Sequence, residues 1–351
     1  MKVIGLLPML LWLLAGCTVG PDYRRPAYPV PAAFRGAAAD APGEAVSLGD
    51  LAWWQLFQDE QLQELLRTAL LQNYDLGIAA ARILDARAQL TITRAAQFPT
   101  IEANARAPYT RTEGDRLPQT AQDTFAPVGS LDLSFEIDFW GRLRRGTEAA
   151  WAELRASEEA RFTVVTALIS DGATAYFQLR ALDLELEIAQ RALTSRQDSL
   201  QLVQTRAEAG LVSLLEVHQA AILVQTAAQT IPDVERRRAQ IENRLSTLLG
   251  QNPDAVPRGR PLLQQLALPE VPAGLPSALL ERRPDIRRAE QQLVAANARI
   301  GVATALFFPQ VTLTGSAGVG ATGVNGAGPS GLFAVGPGVT LPIFNTGRLR
   351  A

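Results

Sequence analysis

Apolar residues recur along this chain in two different periods. From Arg142 to Ala209 there is no proline, the glycines are Gly146 and Gly172, and helix formers dominate. Apolar or small residues return there every three or four positions, through Val165, Leu168, Gly172, Ala175, Leu179, Leu182, Leu186, Ala189, Leu193, Leu200, Val203 and Ala207, with Arg196 as the interruption. A seam held for so long predicts a coiled-coil helix, a rod of roughly 100 Å at about 1.5 Å per residue. Gly210 reads as its stop and Ser213 as the next N-cap, with the turn at 209–213. A second helix returns with Leu214, Val217, Ala221, Val224, Ala228 and Ile231 on one face, continued by Val234, Ile241, Leu245 and Leu248. Pro232 is expected to kink that helix or slip its phase. The helical hairpin thus covers 141–249, and a proline-rich connector covers 250–275.

Elsewhere the period is two. Ile101, Ala103, Ala105, Ala107 and Tyr109 alternate with Glu102, Asn104 and Arg106. Leu131, Leu133, Phe135, Ile137 and Phe139 alternate with Ser130, Asp132, Ser134, Glu136 and Asp138. Val311, Leu313, Ala317 and Val319 repeat the pattern against Thr312, Thr314 and Ser316, and it returns through Phe333, Val335, Val339, Leu341 and Ile343. The links 111–124 and 320–331 are polar or glycine-rich and are expected to be loops. Two β-hairpins follow, over 98–140 and 309–344.

The hairpins belong to an internal repeat. Residues 73–105 align with 283–315 at a shift of 210, which matches Asp75 to Asp285, Phe98 to Phe308 and Pro99 to Pro309. Gly141-Arg142 matches Gly347-Arg348 at a shift of 206. Each copy reads as helix (51–97 and 276–308), Phe-Pro boundary, hairpin, Gly-Arg boundary, with 345–351 as the start of a second long helix.

One apolar and one polar face also suits a soluble sandwich. Three features favour a membrane. Phe98, Phe139, Trp140, Phe307, Phe308 and Phe344 gather at the Phe-Pro and Gly-Arg boundaries, which share one end of a hairpin and form a one-sided interface girdle. Strands of about ten residues cross a bilayer when tilted. Four strands cannot close a barrel, and open edges in lipid leave backbone groups unpaired at several kcal/mol each, so the chain must oligomerise. Glu102, Asn104, Arg106, Asp132, Glu136 and Asp138 then face a water-filled lumen. The fold class is mainly α with membrane β: a long coiled-coil helical hairpin plus two β-hairpins contributing to an oligomeric transmembrane β-barrel.

Composition matters most at the N-terminus. The 351 residues carry a formal charge of −2 and no long basic run, so a nucleic-acid partner is set aside. Residues 1–16 join one lysine, an apolar run from Val3 to Leu14, and small Ala15 and Gly16, which is a signal peptide. Cys17 is the single cysteine, so no disulfide forms within the chain. Leu14-Ala15-Gly16-Cys17 resembles the bacterial lipoprotein signal, in which the cysteine is acylated and multiple acyl chains anchor the protein. Thr18 in place of Asp implies sorting to the outer membrane, with 17–50 as a lipidated extended segment. His218 is the single histidine and cannot complete a metal site. Neither a phosphate-binding loop nor a dinucleotide fingerprint is present, and no catalytic constellation is found. The chain reads as no enzyme, with no cofactor beyond the covalent lipid on Cys17.

Five stretches (17–26, 53–88, the tip 209–220, 243–253 and 274–290) and the two Phe-Pro…Gly-Arg hairpins carry a resemblance to one family. The chain resembles the outer-membrane efflux factors (TolC-like channels), in the lipoprotein branch that serves resistance-nodulation-division efflux systems. The resemblance implies a homotrimer whose protomers each give four strands to a twelve-stranded barrel, above a long helical tunnel with a belt near its middle. It implies a passive exit duct for drugs or other small solutes, with a periplasmic adaptor protein and an inner-membrane pump as partners. Adaptors dock on helix tips, which by motif match are Gly210, Leu211, Ser213, Leu215 and Glu216 here. A periplasmic coiled-coil adaptor or structural lipoprotein without a pore is the alternative, and a periplasmic enzyme is a remote third.

In the family a long helix, a second tip and a returning helix follow the second hairpin, and the closing gate relies on charges of that half. The sequence in hand stops at Arg350-Ala351, so the expectation is a C-terminally truncated member that forms no gated channel alone. Stable trimers of these residues with single-channel conductance in planar bilayers would overturn that expectation.

Overall fold

The computed structural model describes residues 18–31, 52–113, 121–265, 280–321, 330–344 and 346–349. The signal peptide, Cys17 and the connector beyond Gln265 lie outside the described residues. In chain order the elements are α1 (Trp53–Leu56), α2 (Glu60–Gln72), α3 (Tyr74–Ala95), β1 (Thr100–Arg106), β2 (Tyr109–Glu113), β3 (Ala121–Phe125), β4 (Val128–Ile137), α4 (Arg142–Glu208), α5 (Leu214–Leu248), α6 (Pro284–Ala305), β5 (Gln310–Gly320) and β6 (Ser330–Thr340). A 3-10 turn, Leu262–Gln264, lies in the described part of the connector. They fall into two compact units.

The unit of Pro29–Ala81 and Glu159–Ile286 is helical. Its core joins Leu62, Leu65, Leu66 and Ala69 of α2 to Leu168, Ala175, Tyr176 and Leu179 of α4, closed by Leu245 of α5 and Val256 of the connector. Farther along, Leu182 and Leu186 of α4 meet Val234 of α5, so the seam read from the sequence is the buried one. α5 stays a single helix through Pro232 rather than breaking there. Proline removes one N–H from the ladder, and Val234 two residues later is fully buried, so packing holds the helix together.

One polar group organises this core. Asp59, 3% exposed, caps α2 by accepting from the N–H groups of Gln61 (2.9 Å) and Leu62 (3.3 Å). Its other oxygen accepts from the Tyr176 hydroxyl at 2.8 Å, the Arg260 N–H at 3.1 Å and Gln265 Nε2 at 2.9 Å. Tyr176 in turn accepts from the Gly259 N–H at 2.9 Å. A Cβ at Gly259 would stand 2.1 Å from Asp59 Oδ1, so glycine is required for the connector to come this close.

The unit of Met1–Tyr28, Arg82–Glu158 and Arg287–Ala351 holds both β-hairpins. The repeat is geometric as well as sequential. α3 and α6 each have 22 residues and occupy equivalent positions at the shift of 210. The turns after them use equivalent bonds, Phe98 N–H to Ala95 O and Phe308 N–H to Ala305 O. Gly141 and Gly347 both adopt the left-handed region, at φ +80° and +87°. Residues 18–25 bind the two copies together. Val19 N–H donates to Trp140 O at 3.0 Å, Gly20 passes so close to Gly301 that a Cβ would lie 2.4 Å from its Cα, and Asn297 donates to Pro21 O. Asp22 pairs with the buried Arg145 at 2.6 Å, and Arg25 with Glu290 at 3.0 Å.

The expected loop at 111–124 is corrected by the structure. β2 and β3 enter it and pair as a separate two-stranded ribbon. Pro108 and Pro127 interrupt the sheet, since neither supplies an N–H, and Ala126 N–H to Pro108 O carries the pairing across the break. Residues 114–120 and 322–329, at the tips of the links, lie outside the described residues.

Burial, reinforced by the hydrogen bond to Asp59, pushes the Tyr176 phenol from its ordinary 10.0 up to about 12. A group held neutral in this way contributes stability in full below pH 10, and the contribution is lost as pH rises through about 12. Tyr176→Phe is expected to cost about 1–2 kcal/mol at pH 8, through the lost partners of Asp59 and Gly259. It should also flatten the decline in urea stability between pH 10 and 12 relative to the parent.

Candidate functional site

β1, β4, β5 and β6 form one antiparallel sheet in that order. Its register sorts the side chains, because successive residues point to opposite faces. One face carries the rungs Ile137–Val311–Val339, Phe135–Leu313–Pro337, Ile101–Leu133–Gly315–Val335, Ala103–Leu131–Ala317–Phe333 and Ala105–Gly129–Val319–Gly331. The opposite face carries Glu136–Thr312–Gly338, Thr100–Ser134–Thr314–Gly336, Glu102–Asp132–Ser316–Ala334, Asn104–Ser130–Gly318–Leu332 and Arg106–Val128–Gly320–Ser330. The alternation seen in the sequence is therefore one continuous apolar surface backed by one polar surface. Ile101, Leu131, Val335 and Val339 are exposed, and Phe333 is 81% exposed. A contiguous apolar face of this kind marks an interaction surface.

On the polar face Glu102 and Asp132 stand directly opposite each other. Asp132 accepts from Asn104 Nδ2 at 2.8 Å and Ser130 Oγ at 2.9 Å, two neutral donors that leave its charge in place. Glu136 differs: Arg142 grips it with two bonds, Nε at 2.9 Å and Nη2 at 2.5 Å. Asp138 lies past the end of β4 at Ile137, so its placement among the lumen-facing strand residues is corrected. Its carboxylate accepts the Arg144 N–H at 2.9 Å and satisfies one of the free donors at the start of α4.

The aromatics do not act as one set. Trp140 and Phe308 stack at 4.6 Å between centroids, and Trp140 Nε1 donates to Pro309 O at 2.8 Å, which ties the two copies to each other. Phe98, Phe307 and Phe344 are exposed, and Phe139 is half-buried. At the helical tip Gly210 takes φ +75°, and Glu216 accepts the Ser213 N–H at 3.4 Å, half of a capping box. Leu211, Leu214 and Leu215 are exposed there, and His218 is exposed on α5. Cys17 lies outside the described residues. No group of three or more His, Cys, Asp or Glu that could hold a metal ion occurs among the described residues. Sequence reasoning missed the Asp59 centre and the grip of residues 18–25. Both join positions far apart in the chain, and the only local trace was a capping aspartate before α2.

The sequence matches the outer membrane efflux protein family over residues 65–251 and 275–351. It is 41% identical to the solvent efflux pump outer membrane protein SrpC of Pseudomonas putida, across 98% of this chain and 75% of the relative. Against the cation efflux system protein CusC of Escherichia coli O6:H1 the identity is 34%, across 100% and 76%. The solved outer-membrane channel OprN superposes with a TM-score of 0.83 at 34% identity, over 95% of this chain and 75% of that one.

Glu136 and Arg142 tie the last rung of β4 to the first residue of α4. Glu136→Gln and Arg142→Lys, each of which breaks the two-bond geometry, are expected to lose about 1–2 kcal/mol. The double variant should lose clearly less than the sum, as thermal unfolding in detergent would measure.

Proposed function

The chain belongs to the outer membrane efflux protein family, and from that premise we propose that three copies close its sheet into one barrel, the exit duct of a tripartite efflux pump. The chain is the outer-membrane component of such a pump. The observation that carries the trimer is the sheet itself. β1 and β6 end the strand order and each pairs on one side only among the described residues, while the apolar face asks for lipid. Backbone groups in hydrocarbon must be paired, and closure is the way a sheet achieves it. Copies of the same sheet supply the missing partners, β6 of one beside β1 of the next, and three give the twelve strands that the family resemblance implies.

Several finer points belong to the same reading. Cys17 carries the lipid that anchors the N-terminus in the outer membrane, on the strength of the signal that precedes it. The tip at Gly210, Leu211, Ser213, Leu215 and Glu216 receives the periplasmic adaptor, and its exposed leucines suit a helix partner. The inner-membrane pump chooses the cargo. Relatives of this chain are named for solvents, toluene, antibiotics and a cation, and a polar wall of Ser, Thr, Gly and a few charges serves all of these small solutes.

A Cys17→Ser variant separates a barrel from a pore-free coiled-coil lipoprotein. With the acyl anchor removed, a closed barrel is expected to stay in the membrane pellet through carbonate washing and to need detergent for release as a trimer. Release by carbonate as a monomer would sink the proposal.

A further inference from the structure

The girdle read from the sequence is one-sided, yet the structure places a second pair of aromatics at the far end of the sheet. Tyr109 begins β2 and Phe125 ends β3, and the two are direct partners in the ribbon's register. They are 63% and 55% exposed. We propose that this Tyr109–Phe125 rung is an anchor in the lipid headgroups of the outer leaflet, and that the β2–β3 ribbon beyond it stands in external water. The inference rests on the sheet's lying in the outer membrane.

Three observations carry it. The first is spacing. The sheet begins at Thr100, two residues past the exposed Phe98, and Tyr109 lies nine residues on. Nine residues of extended chain span roughly 31 Å, or roughly 23 Å along the membrane normal at a tilt of about 40°, close to the apolar band of about 25 Å between two girdles. The second is composition between those limits. On the apolar face every rung from Ile137 to Gly129 is free of charge. The third is the change just outside. Two residues beyond Tyr109, on the same face of β2, comes Arg111, whose partner in the register is Asp123. Along one line the chain passes from aliphatic residues to a pair of aromatics and then to a pair of charges. An aromatic ring with a polar tip is favoured at such a border, apolar body inward and hydroxyl toward water. The break at Pro108 and Pro127 falls one residue inside Tyr109 and two inside Phe125, so the sheet gives way to the ribbon where the bilayer ends.

The test is a depth measurement in the full chain. Nitroxide labels go on single cysteines, Ala103→Cys, Tyr109→Cys, Phe125→Cys and Arg111→Cys, in a Cys17→Ser background reconstituted into phosphatidylcholine vesicles. Collision rates with oxygen, which concentrates in lipid, are compared with those for a water-soluble nickel chelate. The oxygen-to-nickel ratio is expected to be high at 103, to fall several-fold at 109 and 125, and to invert at 111. Phe125→Cys keeps Tyr109 and the reverse, so each variant retains one aromatic of the rung. A ratio at 109 and 125 equal to that at 103 would overturn the proposal by placing the border farther out. A ratio there equal to that at 111 would overturn it by placing the border farther in. A water-like ratio at 103 itself would refute the membrane reading on which the inference rests, and this inference with it.

Discussion

Backbone hydrogen bonding in lipid is the constraint on which the rest of this structure depends. In the outer membrane the apolar face of the four strands meets hydrocarbon, and hydrocarbon offers nothing to the outer N–H and C=O groups of β1 and β6. The same constraint explains where two prolines are admitted: Pro108 and Pro127 sit between the strands of the sheet and those of the ribbon, where a missing N–H removes no ladder bond. On the proposed trimer reading, such a chain is incomplete as a monomer for this physical reason.

The register then decides how the two hairpins divide their work. Every charge on the polar face comes from the first hairpin, through Glu102, Arg106, Asp132 and Glu136. The second contributes Thr312, Thr314, Ser316, Gly318, Gly336 and Gly338 to the same rungs. Small residues there have a packing reason as well. A Cβ at Gly318 would lie 2.2 Å from Gly129 O and 2.8 Å from Ser130 Cα, so β4 and β5 approach each other only with glycine at that point. A slip of one residue would turn Leu131, Leu133 and Phe135 toward water and Asp132 toward lipid, which is why the pairing is tightly specified.

Much of this was legible in the sequence, for a reason that can be stated residue by residue. Period two at 101–107 and 131–137, the seam from Leu168 to Ala189, and Gly210 before Ser213 are local signals with one structural solution each. The repeat was legible because two copies of a landmark cannot agree in order by chance. Three features were hidden. Asp59 reads as an ordinary helix cap, and nothing near it announces Tyr176 or the connector at Gly259 and Arg260. The grip of residues 18–25 on Gly301, Asn297 and Glu290 joins segments about 270 residues apart. Most of the ribbon, within 111–124, looked like loop because strands in water need no apolar face, so the usual pattern was missing. Asp138 was misplaced because the alternation runs on past the strand that produced it.

The echo between the two Gly-Arg boundaries is the sharpest instance of pattern outrunning chemistry. Backbone geometry repeats closely: both glycines are left-handed, and both follow hairpins entered by a helix of the same length. The side chains do not follow. In the first copy Glu136 holds Arg142 and Asp138 holds Arg144, so the turn is clamped from the strand side, while Thr18 lies against Gly141. At the shift of 206 the residues equivalent to Glu136 and Asp138 are Pro342 and Phe344. Neither of those two positions offers Arg348 a carboxylate, and a Cβ at Gly347 would meet nothing within 4 Å. Duplication kept the conformational requirement, since only the glycine backbone makes that turn cheaply. It left the charge pairs free to diverge, and in the first copy they lock the strand to the helix.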